Sequence, residues 1–399
     1  MPQATQGVKP SLVKYVGVSI LCSLVVVVFA RLTYGLMLPA MRESLDLSFT
    51  QAAFLGTVTA LGYLSLVLPA GLFATRFGAS RAILLGVAFA VVGFFGLSIA
   101  SSYLWLVVLM VILGAATAFA YTPLISLLGS WFPGRRGTVI GLANSGVGTG
   151  MFLTGGLVPW LIESGETADS GWRLVWLIFA ICALVCAFFV MRVLRDPPKL
   201  AMATPSTGKS TGIIGAYRNR HVRLVAWIYG IVGVTYILQS LFMYSFALDT
   251  GLSPTQAGRL VALMGILSIF AGPGWGWAAD RIGHSRALMI CLSLALLGTL
   301  LPVIWPLYTA FFLHYFLLGV STTGQFTSIL AATTKTVSND QAAVAISFVT
   351  LFFAAGQLIG PSAAGVLLEV TGNYQLMFLL SSALIGVGVY ISAIIGDSD

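Results

Sequence analysis

A run of mostly apolar residues, long enough to cross lipid, recurs twelve times along this chain and constrains its fold more than any other feature. A bilayer core about 30 Å thick takes roughly 20 such residues per helix, and every backbone N–H and C=O inside it must be paired. Closed barrels also meet that condition, but with short strands of alternating polarity, a pattern this sequence does not follow. The runs read as helices over 14–41, 51–75, 80–100, 103–130, 137–162, 172–194, 222–248, 254–278, 285–305, 307–332, 341–368 and 374–396. The expected fold is therefore all-α, a membrane protein of twelve transmembrane helices. Charged residues are only 8% of the 399 positions, against about 25% in soluble domains.

With twelve spans both termini fall on one side, and that side, with its loops, holds sixteen of the twenty Lys and Arg residues. The positive-inside rule makes it the cytoplasmic side, so the net charge of +8 reads as a topology signal and not as a nucleic-acid surface. The other side collects Glu43, Asp46, Glu163, Glu166, Asp169, Asp249 and Glu369. Cys22, Cys182, Cys186 and Cys291 all fall inside spans and form neither a CxxC pair nor a Cys/His cluster, so no metal site and no cofactor is expected.

The chain also repeats itself. Leu47-Ser48-Phe49-Thr50-Gln51-Ala52 returns 205 residues later as Leu252-Ser253-Pro254-Thr255-Gln256-Ala257. At the same offset Gly71, Arg76, Gly78 and Arg81 map onto Gly276, Arg281, Gly283 and Arg286, and Gly114, Thr117 and Gly155 onto Gly319, Thr322 and Gly360. The twelve helices thus divide into two pseudo-symmetric six-helix bundles, 1–194 and 222–399. Residues 195–221, rich in Pro, Gly, Ser, Thr and positive charge, read as the cytoplasmic linker.

The segment Gly276-Trp277-Ala278-Ala279-Asp280-Arg281-Ile282-Gly283-His284-Ser285-Arg286 resembles the GxxxDRxGxxR loop of the major facilitator superfamily. Its first-half copy keeps Gly71, Arg76, Gly78 and Arg81 but has Thr75 in the acidic position. Trp131-Phe132-Pro133-Gly134-Arg135-Arg136-Gly137, followed by Gly141, Asn144 and Gly146, is similar to a loop of bacterial monocarboxylate and oxalate/formate-type carriers. The resemblance implies a secondary transporter of the bacterial inner membrane that works by alternating access, commonly as a monomer. It also implies that Gly71, Arg76, Gly78, Gly276, Asp280, Arg281 and Gly283 take part in gating, with Asp280 latching the inner gate. The plain alternative for this loop is a tight turn whose charges fix topology.

Carriers of this build hold substrate near the midplane between the bundles. Arg31 lies there, about 16 Å from the outer end of the first span by helix rise, and a charge at that depth is costly enough to suggest function. A guanidinium suits a carboxylate; the alternative is an Arg satisfied by carbonyls or a polar neighbour. On an α-helical register Tyr34 shares its face, and the repeat brings in Tyr236 and Gln239 from the seventh span. Tyr121, Asn144, Thr322, Gln325 and Gln357 extend the candidate cavity, although such groups also bridge helices by hydrogen bonds. His314 is a candidate for proton exchange or a buried histidine satisfied by a neighbour.

The spans hold no Asp or Glu near the membrane centre, which argues against cationic substrates. The expected partners are a small organic mono- or dicarboxylate, the lipid bilayer and, as a candidate coupling ion, the proton. The competing readings are an exporter of hydrophobic or drug-like compounds and a sensor that binds without transport. An enzyme would need a nucleophile, metal cluster or acid/base pair, and none converges.

Overall fold

The computed structural model of the chain describes residues 11–165, 168–197, 219–335, 337 and 342–396. The first span is α1 (Leu12–Ser23), a π-helical stretch (Leu24–Leu32) and α2 (Tyr34–Ser44) in succession. There follow α3 (Phe49–Phe77), α4 (Ala79–Ile99), α5 (Tyr103–Trp131), α6 (Arg136–Ser164) and α7 (Ala168–Val193). The second half comprises α8 (Arg220–Asp249), α9 (Pro254–Ile282), α10 (His284–Ile304), α11 (Tyr308–Lys335), α12 (Ala342–Thr371) and α13 (Tyr374–Gly396). Each of the twelve expected spans is thus helical, and the chain has the helices of an integral membrane protein. Eleven of these helical units are long and apolar enough to cross a membrane by composition alone. The exception, α11, has ample length but carries His314, Ser321, Thr322, Thr323 and Gln325. Most of the expected linker, 198–218, lies outside the described residues.

The repeated Leu-Ser-x-Thr-Gln-Ala motif has a local physical cause. Ser48 accepts from the Gln51 N–H at 3.2 Å while Gln51 accepts from the Ser48 N–H at 3.0 Å, a capping box that starts α3. Ser253 and Gln256 do the same for α9, with Pro254 in the first turn, where its missing N–H costs nothing. The GxxxDR-type turns match as well: Gly78 and Gly283 join consecutive helices at φ of 102° and 88°, a region where other residues are strained.

The halves meet on a pseudo-twofold axis. A Cβ on Gly35 would strike the Ser240 carbonyl, and these two residues are repeat mates, so each half presents the same position to the other. Along α6 and α9 the contact follows a seven-residue glycine spacing, as packed helices require. A Cβ on Gly155 would stand 2.7 Å from the Gly258 carbonyl oxygen, and one on Gly148 2.7 Å from that of Gly265. One further step along α6 reaches Gly141, where a Cβ would meet nothing within 4 Å. The seam is closed from the membrane centre to the face opposite the basic loops, called the far face below, and parted toward the basic face.

Two carboxylates fasten the far end. Glu369, in the last turn of α12, accepts from the Thr50 N–H of α3 at 3.1 Å, and Glu163, in the last turn of α6, accepts from the Thr255 hydroxyl of α9. Thr50 and Thr255 are repeat mates, so each half offers a carboxylate to the other half's helix N-terminus, where the partial positive charge favours an anion. In a cysteine-free background, the double change Glu163→Ala and Glu369→Ala should speed labelling of a cysteine at buried Ala53 by a membrane-impermeant maleimide about three- to tenfold. An unchanged rate would mean that the glycine seam alone keeps the face shut.

Candidate functional site

Arg31 sits in the π-helical stretch, whose wider turns leave carbonyls out of α-helical register. Side chains recover them: the Val28 carbonyl accepts from both the Thr33 N–H at 2.9 Å and its hydroxyl at 3.0 Å, and the Val26 carbonyl accepts from the Thr117 hydroxyl of α5. The half-buried Arg31 guanidinium donates from Nη2 to Gln357 Oε1 of α12 at 3.1 Å and lies 5.0 Å from the ring centroid of Tyr63 on α3. Tyr236 of α8 is within its electrostatic reach. No carboxylate among the described residues pairs with it, the one ion pair there being Arg173–Asp169. A cation in low dielectric without an anionic partner is poorly compensated, and an entering anion would complete the pair.

Arg31, Tyr236 and Gln357 are therefore brought together, and Tyr63 joins them without having been expected. Depth could have found it. Arg31, Tyr63 and Gln357 each lie thirteen or fourteen residues from the far end of their helices, about 20 Å by helix rise. Tyr34, expected on the face of Arg31, is elsewhere: it is buried and donates to the Ala52 carbonyl at 2.8 Å. That expectation assumed an α-helical register, and the π turns between the two residues rotate them onto different faces.

The remaining candidates make local bonds. Tyr121 of α5 donates to Asn144 Oδ1 of α6 at 2.6 Å, with Asn144 exposed beside the parted end of the seam. Gln239 donates through Nε2 to Thr299 Oγ1 at 2.8 Å. Thr322 donates back to the Leu318 carbonyl of its own helix at 2.7 Å, and Gln325 Nε2 lies 3.5 Å from the Cys291 carbonyl. Below Arg31 on the basic side Tyr236 packs edge-on against Phe326 at 5.4 Å, and Phe326 against Tyr229 and Phe353. On the far side a small pocket, referred to as the chamber, begins at Tyr236 and includes Leu32, Leu36, Met151, Gln239 and His314. Among the described residues no three His, Cys, Asp or Glu side chains gather as a metal would need, and the four cysteines are free thiols.

The loop residues resolve differently in the two halves. In the second, Gly276 lies within α9, the Asp280 side chain lies outside the described set, and the Arg281 guanidinium lies 4.0 Å from the Trp277 ring centroid. In the first, nothing stands within 4 Å of a Cβ on Gly71, and Arg76 lies 5.2 Å from the ring of Phe77. Thr75 donates to the Leu72 carbonyl of its own helix at 2.8 Å. A carboxylate reaches this turn through space: Asp196, just past α7, accepts from the Ser80 N–H at 2.9 Å and from its hydroxyl, which caps α4. Its neighbour's carbonyl, that of Arg195, accepts from Trp131 Nε1 at 2.7 Å and thereby ties the end of α5 to the end of α7.

The sequence matches the family model described as "Uncharacterised MFS-type transporter YbfB" over residues 23–393. It is 26% identical over 377 residues to monocarboxylate transporter 11 of Homo sapiens, covering 90% of this chain and 77% of that protein. It is also 26% identical to monocarboxylate transporter 12 of Mus musculus, covering 73% of this chain and 65% of the other. In fold it is similar to a mutant form of the nucleoside transporter NupG, with a TM-score of 0.80 at 13% identity over 96% of this chain and 99% of that one. A bacterial homolog of the lysosomal transporter Spinster, solved inward-facing and unoccupied, aligns with a TM-score of 0.78 at 16% identity over 98% of each chain.

Because Asp196 does the work of a helix cap, Asp196→Ala should lower the melting temperature in detergent by about 2–4 °C. Ser80→Ala in that background should add little, since both changes remove one interaction. Full additivity would show that the two residues act separately.

Proposed function

Since the chain belongs to this family of MFS-type transporters, which are not enzymes, we propose that it moves a small organic anion, a mono- or dicarboxylate, by alternating access, with Arg31 as the carboxylate-binding group. One observation carries the reading: a guanidinium near mid-membrane, oriented by Gln357 from the opposite half and approached by no carboxylate among the described residues. The kinship with monocarboxylate transporters supports the same substrate class. In this reading the basic face is cytoplasmic in a bacterial inner membrane and the two bundles rock about Gly35 and Ser240. A single chain holds the whole pathway, and a proton is the candidate coupling ion.

The Arg31–Gln357 bond spans both halves, so an anion that takes over the guanidinium alters a bond between the bundles. Such a ligand interacts differently with the two states, which is what any ligand-driven shift requires. Gly141 has a defined place in the cycle: when the basic face closes, the seam extends by one more glycine step.

Counterflow of radiolabelled carboxylates in proteoliposomes should be saturable and fall about ten- to hundredfold in Arg31→Ala, the loss expected for a charge-assisted hydrogen bond to an ionic ligand. Arg31→Lys should retain part of it. Undiminished flux in Arg31→Ala would remove the site assignment. Gly141→Leu meets open space in this state, so it should fold and melt as the wild type does yet transport at least about tenfold more slowly. Wild-type flux in that variant would show that the basic face closes without bringing Gly141 into contact.

A further inference from the structure

The chamber on the far side of Arg31 has two unlike walls. Leu32, Leu36 and Met151 of the first half are apolar, whereas the second half supplies Gln239, Tyr244 and His314 beside the apolar Val261, Met264 and Leu318. The repeat sharpens the difference, because the first-half mates of Ser240, Tyr244 and His314 are Gly35, Pro39 and Leu109. Polar side chains have been placed on one wall and kept off the other.

His314 is fully buried, and its Nδ1 lies 3.0 Å from the Gly298 carbonyl. A carbonyl only accepts, so Nδ1 carries the proton and the neutral ring is left with Nε2 as an acceptor. Nε2 has no hydrogen-bond partner although it is buried. An unmet acceptor in that setting costs stability and calls for a specific reason. Gln239, on the same wall, is fixed by Thr299, whose own hydroxyl donates to the Ala295 carbonyl at 2.8 Å, so the wall is held in shape. Among the described residues no Asp or Glu lines the chamber, which leaves an ammonium without a counter-charge there.

We infer that this chamber is a second subsite, in which His314 Nε2 accepts a hydrogen bond from a hydroxyl at the end of the substrate remote from its carboxylate. The substrate class is then an organic anion with an apolar middle and a distal hydroxyl, in preference to an unsubstituted monocarboxylate. The inference rests on Arg31 as the carboxylate group: the first half supplies the charge, and the second half reads the other end. No proton is transferred in this role, and His314 stays neutral.

The test is ligand-induced thermal shift of the purified full chain with matched pairs: butyrate and 4-hydroxybutyrate, pentanoate and 5-hydroxypentanoate, hexanoate and 6-hydroxyhexanoate. At the chain length that spans the two subsites the hydroxy acid should bind at least about tenfold more tightly than its congener, since a buried acceptor penalises a ligand that leaves it unpaired. His314→Leu should bring that ratio near one while the unsubstituted acid still binds, which also reports that the variant is folded. His314→Gln, which keeps an acceptor, should retain part of the preference. Equal binding of both members at every length, or a preference that survives His314→Leu, would overturn the proposal. A preference kept in His314→Leu together with a lost pH dependence of binding would assign His314 to proton carriage instead. If neither acid binds and Arg31→Ala changes nothing, the Arg31 reading itself fails, an outcome distinct from equal binding that Arg31→Ala abolishes.

Discussion

The approach of glycine backbones across the two halves is the contact on which the rest of this molecule depends. In lipid there is no hydrophobic drive to press one bundle on the other, so their association has to come from close packing and hydrogen bonds. Gly148 and Gly155 against Gly265 and Gly258 supply the packing, and the Gly35–Ser240 approach fixes the axis. With those backbones in contact, Gln357 of one half reaches Arg31 of the other. The stretch that is parted is the same helix pair one glycine step on, so the open and closed portions of the seam are built from the same residue type.

Much of this was legible in the sequence, and what was not has identifiable causes. Apolar run length gave every span, because the thickness of hydrocarbon leaves helices little freedom of length. The 205-residue offset gave the symmetry and, through it, Tyr236 opposite Arg31. The face carrying Tyr34 was misread because a π-helical stretch changes the angle per residue, and nothing in Val25-Val26-Val27-Val28 announces it. Tyr63 was missed because its repeat mate is Ser268 and its helix carries no charge at that depth. Asp196 and the two far-face glutamates were visible as charges, but their partners lie 116, 92 and 319 residues away, and single-sequence patterns do not report such pairings.

The duplication preserved structure and let chemistry diverge. Capping boxes, turn glycines and small-residue faces persist in both halves because each bundle needs them to fold. Thr117 and Thr322 persist, but other charge and hydrogen-bonding groups diverge: Arg31 answers to Tyr236 and Leu109 to His314, and in the basic-face turn Thr75 answers to Asp280. A site built from two copies of one unit becomes specific only by breaking the equivalence of its walls, and here the break includes the charge itself. The first-half turn also receives a carboxylate through space, since Asp196 reaches Ser80 from the end of α7.

The reciprocal fastening at the far face has a further consequence. Each half gives one carboxylate and receives one at the repeat-related threonine, so the interface is self-complementary in the sense of a twofold dimer. Nothing in it requires the halves to be covalently joined. A six-helix chain carrying the Leu-Ser-x-Thr-Gln-Ala start of its second helix and the glutamate at the end of its fifth would hold both partners of that polar fastening. The linker then serves a different end from cohesion: it guarantees that the two unlike walls, one bearing the arginine and one the histidine, are always paired with each other and never with their own kind.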